Sequence, residues 1–119
     1  MPHVLLIEDD ALVRKLLEKR LQQAGWQVTA LRDGRQALGL CQQVRPDLIL
    51  LDLGLPHVDG LHVLETLRDN GIVQPVMVLT GYDLPHLRAT VKGTGADELV
   101  QKPYDPDALL ERMHSLLAA

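Results

Sequence analysis

Three acidic residues in succession, Glu8-Asp9-Asp10, follow the aliphatic run Val4-Leu5-Leu6-Ile7, and a fourth acid, Asp52, follows Leu48-Ile49-Leu50-Leu51. Two further apolar runs end in Thr80 and in Lys102. Carboxylates gathered in one place need a cation. Hard oxygen ligands with few protein donors suit Mg²⁺, which keeps several waters and normally takes a phosphate oxygen as well. Beside such a centre the Lys102 ammonium would neutralise added phosphate charge, and the Thr80 hydroxyl would donate a hydrogen bond to it. Taken singly, each residue has an ordinary explanation: Asp52 as a turn former or cap, Lys102 as a solvated lysine, Thr80 as a strand residue. Their joint placement, one strand end after another, points to chemistry.

That chemistry requires the strand ends to lie side by side. Val4 to Ile7 and Leu48 to Leu51 are continuous aliphatic runs, the pattern of parallel strands buried on both faces. Trp26 to Leu31 alternates and reads as a half-buried strand nearer an edge. Pro75 to Thr80 and Leu99 to Gln101 complete five strands, Pro75 standing at a first position where no ladder donor is lost. Between them lie helical stretches. Asp10 can cap the first, whose apolar face is Val13, Leu16, Leu17, Leu21 and Ala24, with Gly25 as its stop. Ala37, Leu38, Cys41 and Val44 mark the second, which Pro46 must end near Arg45. Pro56 and Asp59-Gly60 make a turn into the third, with Asp59 as cap, Leu61, Leu64 and Leu67 as its face and Asn70-Gly71 as its end. Leu84, Leu87 and Val91 mark a weaker fourth, broken by Gly93-Thr94-Gly95. Asp105-Pro106 opens the fifth as cap and N1 proline, with Leu109, Leu110, Met113, Leu116 and Leu117 on its face. Strict alternation predicts an α/β, doubly wound (βα)₅ domain with a parallel sheet and right-handed crossovers. Open sheets of this class bind ligands in the crevice at the carboxyl ends of their strands.

With 119 residues the chain is read as one domain, 1–119, able to bury about two thirds of its unfolded surface. Twelve Lys and Arg against 16 Asp and Glu give a formal net charge of -4, which argues against direct nucleic-acid binding. Cys41 is the single cysteine, so an internal disulfide is excluded and a reducing, cytoplasmic setting is expected. It is expected to be a small core residue, since nothing basic is placed to lower its pKa. No apolar run approaches the ~18 residues of a membrane span, and no leader precedes the first strand. His3, His57, His62, His86 and His114 show no metal-ligand spacing; His57 lies nearest the suspected site.

At this point the chain resembles the receiver domain of bacterial two-component response regulators. The matching segments are Val4 to Asp10, Asp47 to Pro56 with Asp59-Gly60, Val78-Leu79-Thr80, Gly95-Ala96-Asp97 and Lys102-Pro103-Tyr104. They run the full length, with the family's spacing. The resemblance implies the flavodoxin-like strand order 2-1-3-4-5. It also implies that Asp52 is the phosphoacceptor, attacking a phosphohistidine on a sensor histidine kinase or histidine phosphotransfer protein, an instance of carboxylate nucleophilic catalysis. Asp9, Asp52 and the backbone carbonyl of Gly54 would bind Mg²⁺ directly, with Mn²⁺ a possible substitute, and Glu8 would hold the metal through water. Thr80 and Lys102 would bind phosphoryl oxygens, and the site would slowly hydrolyse its own phosphate, so that the chain is a regulatory module rather than an enzyme acting on a substrate pool.

Output in the family is a population shift on the face made by the fourth helix, fifth strand and fifth helix, through a partner the sequence does not name. An aromatic three residues before the lysine normally follows the threonine inward; here that position is Leu99. Tyr104 is expected to pack. Gly54 and Tyr82 occupy positions that tune hydrolysis, and Tyr82 is expected to screen the phosphate from water. An acid usually precedes the match to Arg112 by four residues in the DNA-binding winged-helix branch; here it is Ala108, and a monomer or weak homodimer is expected. The chain reads as a stand-alone regulator or as a receiver from a larger DNA-binding regulator or hybrid kinase. An aspartate-nucleophile phosphohydrolase would usually carry a second acid two residues after the nucleophile, where Gly54 stands. A flavodoxin-type binding module would need a phosphate-cradling first loop, and Glu8-Asp9-Asp10 fills it with negative charge.

Overall fold

Strand and helix alternate five times along the chain, of which the computed structural model describes residues 1–53, 58–81 and 86–118, the side chains of Val58 and Asp59 excepted. Expectations placed on Gly54, Pro56, His57, Tyr82 and Leu84 lie outside the described residues. The elements are β1 (His3–Ile7), α1 (Ala11–Gln23), β2 (Gln27–Leu31), α2 (Ala37–Val44), β3 (Leu48–Asp52), α3 (Val58–Asp69), β4 (Val76–Thr80), α4 (Leu87–Thr94), β5 (Glu98–Gln101) and α5 (Pro106–Ala118). The strands form one parallel sheet in the order β2-β1-β3-β4-β5. Order and direction are as the sequence led us to expect.

Alternation along each strand divides the core into two layers. Leu5, Ile7, Ile49, Leu51, Val76, Val78 and Leu99 face Ala37 and Cys41 of α2, Leu64 and Leu67 of α3 and Val91 of α4. Val4, Leu6, Leu48, Leu50, Met77, Leu79 and Val100 face Leu17 and Leu21 of α1 and Leu109 and Met113 of α5. Every residue of β3 and β4 is buried, which is why these strands read as unbroken apolar runs. Truncating a fully buried leucine such as Leu50 to Ala costs about 2–5 kcal/mol. Continuing the same alternation puts Glu8, Asp52 and Lys102 in the row of Leu6, Leu50 and Val100, whereas Thr80 continues the row of Val76 and Val78 on the opposite layer.

Helix ends follow the local chemistry. The Asp10 carboxylate accepts from the N–H groups of Leu12 at 2.9 Å and Val13 at 3.0 Å, capping α1. Arg45 closes α2 in the left-handed region at φ 46°, immediately before Pro46, which disfavours a right-handed helical conformation there. Four expectations are corrected. Leu16 is 61% exposed, because α1 turns only Leu17 and Leu21 fully into the core. Helix α3 begins at Val58, so Asp59 stands within its first turn rather than at its cap. Helix α4 begins at Leu87 and runs through Gly93 to Thr94; the break comes at Gly95, whose φ of 118° is open to glycine at no steric cost. Trp26 precedes β2 rather than joining it, and its buried ring lies 5.2 Å from that of His114.

Candidate functional site

The register of the sheet assembles the site. Ile7 pairs with Leu51, so Glu8 and Asp52 come next to each other at the ends of β1 and β3. On the far side of β3 the Leu53 N–H donates to the Leu79 carbonyl at 2.8 Å, and the Lys102 N–H donates to the Thr80 carbonyl at 2.7 Å. These bonds continue the ladder past the strands and fix Thr80 and Lys102 beside Asp52's strand end.

Side-chain contacts complete it. Glu8, Asp52 and Thr80 are the buried polar and charged residues among those described. The Lys102 ammonium forms an ion pair with Asp52 Oδ2 and stands 3.9 Å from Glu8 Oε1. Two buried carboxyl groups thus share the ammonium of one partly exposed lysine. The consequence falls on Glu8. Burial first, then the hydrogen bond to and repulsion from Asp52, push its carboxyl up to about 8, against the pull of Lys102 and with a further contribution from Asp9. For Lys102 burial opposes the charge, but Asp52 and Glu8 outweigh it and hold the ammonium above its ordinary range. Tyr104 is half-buried against the α1/α5 layer, as its expected packing role requires. Its phenol is pushed up, by burial first and then by Asp52 and Glu8. The peptide between Lys102 and Pro103 is cis.

Of the expected site residues, the structure brings Glu8, Asp52 and Lys102 into contact, places Thr80 at the neighbouring strand end, and leaves Asp9 exposed at the mouth. Gly54 lies outside the described residues. Among those described, no three His, Cys, Asp or Glu side chains converge into a metal centre by themselves. A crevice with two buried carboxyls, one raised to about 8, and a third acid at its rim is nonetheless short of positive charge, and a divalent cation suits that deficit. Mg²⁺ keeps several of its waters and is held by only one or two carboxylates, so the acids present here, Asp52, Glu8 and Asp9, fit it. Sequence reasoning passed over Arg14, whose Nη1 donates to the Glu8 carbonyl at 3.0 Å. Its spacing, six residues after Glu8 and on the first turn of a helix, was the available signal.

Elsewhere, Leu99 is buried in the layer with Val91 and Ala96, so an aliphatic side chain packs where the resemblance leads one to expect an aromatic. Arg112 is tied to Glu98 and Asp97 to Arg68, so part of the mixed charge around β5 is paired internally. A cavity of about 650 Å³ between α2 and α3 is lined by none of the site residues. No described helix is long and apolar enough to cross a membrane.

Comparison with known proteins gives one answer. Residues 4–114 match the response regulator receiver domain. The response regulator MprA of Mycolicibacterium vanbaalenii is 40% identical over 114 residues, 96% of this chain and 49% of its own length. The virulence transcriptional regulatory protein PhoP of Salmonella choleraesuis is 38% identical over 117 residues, 98% of this chain and 52% of its own. The chain therefore spans about half the length of these relatives. Among solved structures, the receiver domain of the Francisella response regulator 1452 superposes with a TM-score of 0.90 at 29% identity, covering 99% of this chain and 98% of that one. With the sheet order and the acid-lysine crevice already described, these matches establish that the chain belongs to the response regulator receiver domain family.

Proposed function

We propose that the chain is a phosphoacceptor: an Asp52 carboxylate oxygen attacks the phosphorus of a phosphohistidine presented by a sensor histidine kinase or histidine phosphotransfer protein. The O–P bond forms as the P–N bond breaks, and the imidazole leaves with the electron pair. The observation that carries this reading is the contact of Asp52 with Lys102 beside Glu8, at the carboxyl end of the central strand. Asp52 sits where an open parallel sheet presents its ligands. Lys102 orients its carboxylate in the resting chain and pairs with a phosphoryl oxygen afterwards. Thr80, one strand over, donates to another. Bound by Asp9, Asp52 and the Gly54 carbonyl, with Glu8 acting through water, Mg²⁺ would offset the charge gathering on the phosphoryl oxygens. Positioning and charge neutralisation then supply the rate, and the chain acts once per phosphoryl group rather than turning over a substrate pool.

Output follows from Thr80 and Lys102 belonging to β4 and to the end of β5. Drawing them onto a phosphoryl group biases the α4-β5-α5 face, where Glu98 of β5 is paired with Arg112 of α5. The output partner meets that face. Incubation with phosphoramidate and Mg²⁺, followed by intact mass, tests the chemistry. A gain of one phosphoryl group that needs Mg²⁺ and vanishes in Asp52→Ala supports it; no gain in a folded chain supplied with metal overturns it.

A further inference from the structure

Arg14 closes the first turn of α1, where the positive end of the helix macrodipole disfavours a cation. That turn offers it no acidic neighbour. Its guanidinium goes instead to the acidic loop that precedes the helix. Nη1 donates to the Glu8 carbonyl at 3.0 Å, while the Arg14 backbone N–H donates to the Asp10 carbonyl at 2.8 Å. The rest of the loop is fixed around these two bonds. The Glu8 N–H donates to the Leu31 carbonyl at 2.9 Å, and the Asp10 carboxylate is spent on the cap of α1. Asp9 is left as the one residue between two pinned neighbours, with its side chain exposed at the mouth of the crevice.

We propose that Arg14 is a positioning residue for cation capture: by holding the Glu8 carbonyl it fixes the peptide that carries Asp9, and so the direction in which Asp9 leaves the strand. The inference rests on the reading that Asp9 and Glu8 serve Mg²⁺. The tether and the bare charge of Arg14 act in opposite senses. A guanidinium acting through charge alone repels a divalent cation, so its removal tightens binding. A guanidinium acting as a tether spares the loop from being ordered when the ion arrives, so its removal weakens binding.

Calorimetric titration of the whole chain with Mg²⁺ at fixed ionic strength separates the two, with the rate of phosphoramidate labelling as a second readout. Arg14→Ala is expected to bind Mg²⁺ about tenfold more weakly, the effect of losing one charge-assisted hydrogen bond, and to label correspondingly slowly at limiting Mg²⁺. Arg14→Lys, which keeps a donor but not the planar fork, is expected to recover part of the loss. If Arg14→Ala does not fold by circular dichroism, Arg14→Lys and Arg14→Gln carry the test, with affinity falling from wild type to Lys to Gln. Unchanged or tighter binding in the folded neutral variants overturns the tether while the wild type still binds and labels. A wild-type chain that takes up no Mg²⁺ overturns the metal reading and the tether with it.

Discussion

Glu8 and Asp52 stand side by side at the ends of adjacent parallel strands, one residue beyond the paired Ile7 and Leu51, and among the described residues they have one ammonium between them, that of Lys102. The pair is a charge deficit built into the fold. Without a further cation the cheapest remedy is a proton, and Glu8 is the group that takes it.

The first prediction is therefore a pH dependence of the metal-free chain. The Glu8 carboxyl is raised from 4.5 to about 8 in the folded state, so its protonated form is the one the fold favours. Its contribution to stability is complete below the unfolded pKa, declines as pH rises from there, and is lost once pH passes the folded pKa. In EDTA the unfolding free energy measured in urea should fall between pH 5 and pH 9, by on the order of a few kcal/mol at about 1.4 kcal/mol per pKa unit, and the midpoint with it. Glu8→Gln should flatten that decline. Added Mg²⁺ should stabilise the chain more at pH 8 than at pH 5, because protons no longer compete for the acids. A wild-type midpoint that is level across this range would show that Glu8 is ionised throughout.

Lys102 supplies a second test of the same deficit. Replacing it by Ala removes the only ammonium that the described residues bring to Asp52 and Glu8. In EDTA at pH 8 this should cost about 1–3 kcal/mol, less than a fully buried pair because the lysine keeps 29% of its side-chain exposure. Mg²⁺ should then restore more stability to Lys102→Ala than to the wild type, since the ammonium no longer competes with it. Thermal shifts with and without Mg²⁺ measure the difference. Equal shifts in the two chains would mean that lysine and metal occupy separate ground.

How much of this could be read beforehand depended on how strongly one physical demand dominated a residue. Leu48 to Leu51 and Val4 to Ile7 have both faces covered, so burial alone wrote their sequence, and Glu8 and Asp9 after the Val4 to Ile7 run had no structural excuse, whereas Asp10 caps α1. Leu16 and Leu17 carry the same side chain, and only the helix's docking angle decides that the first is exposed and the second buried. Gly93 is a breaker by propensity, yet α4 continues through it because Val91 is anchored in the core and Gly95 provides the left-handed exit. Arginines were the least legible. Arg14 and Arg68 look like solvated helix residues until the fold shows which backbone carbonyls lack partners.

Cys41 should be inert in the folded chain. It is buried between α2 and the sheet, and that burial pushes its thiol up to about 11. At pH 8 almost none of it is thiolate, and Ellman's reagent should react only as fast as the chain opens. The rate should rise to that of a free thiol in 6–8 M urea, a range of order that unfolds small domains. Rapid modification of the native chain would mean that α2 opens far more readily than its packing implies.

Arg68 holds together three segments that carry no expected site residue. Nε donates to the Gly95 carbonyl at 2.9 Å, Nη1 to the carbonyls of Ile72 at 2.7 Å and Gln74 at 2.9 Å, and Nη2 to Asp97 Oδ2 at 3.0 Å. The same Asp97 oxygen accepts from the Val76 N–H at 2.9 Å. One guanidinium thus joins the end of α3, the entry to β4 and the turn from α4 into β5. Arg68→Ala should cost about 2–4 kcal/mol in urea unfolding, because three carbonyls lose this donor at once and Asp97 keeps only the Val76 N–H of the two donors to its Oδ2. Arg68→Lys should recover little, since one ammonium cannot reproduce the fork. Phosphoramidate labelling of Asp52 should survive both changes. Gly95 supplies the cross-check: a Cβ there would lie 2.7 Å from Arg68 Cγ, and φ is 118°. Gly95→Ala should therefore be costly in the wild type and less so in the Arg68→Ala background, where the backbone strain remains but the clash is gone. Additive costs in the double variant would mean that the two residues do not meet in solution.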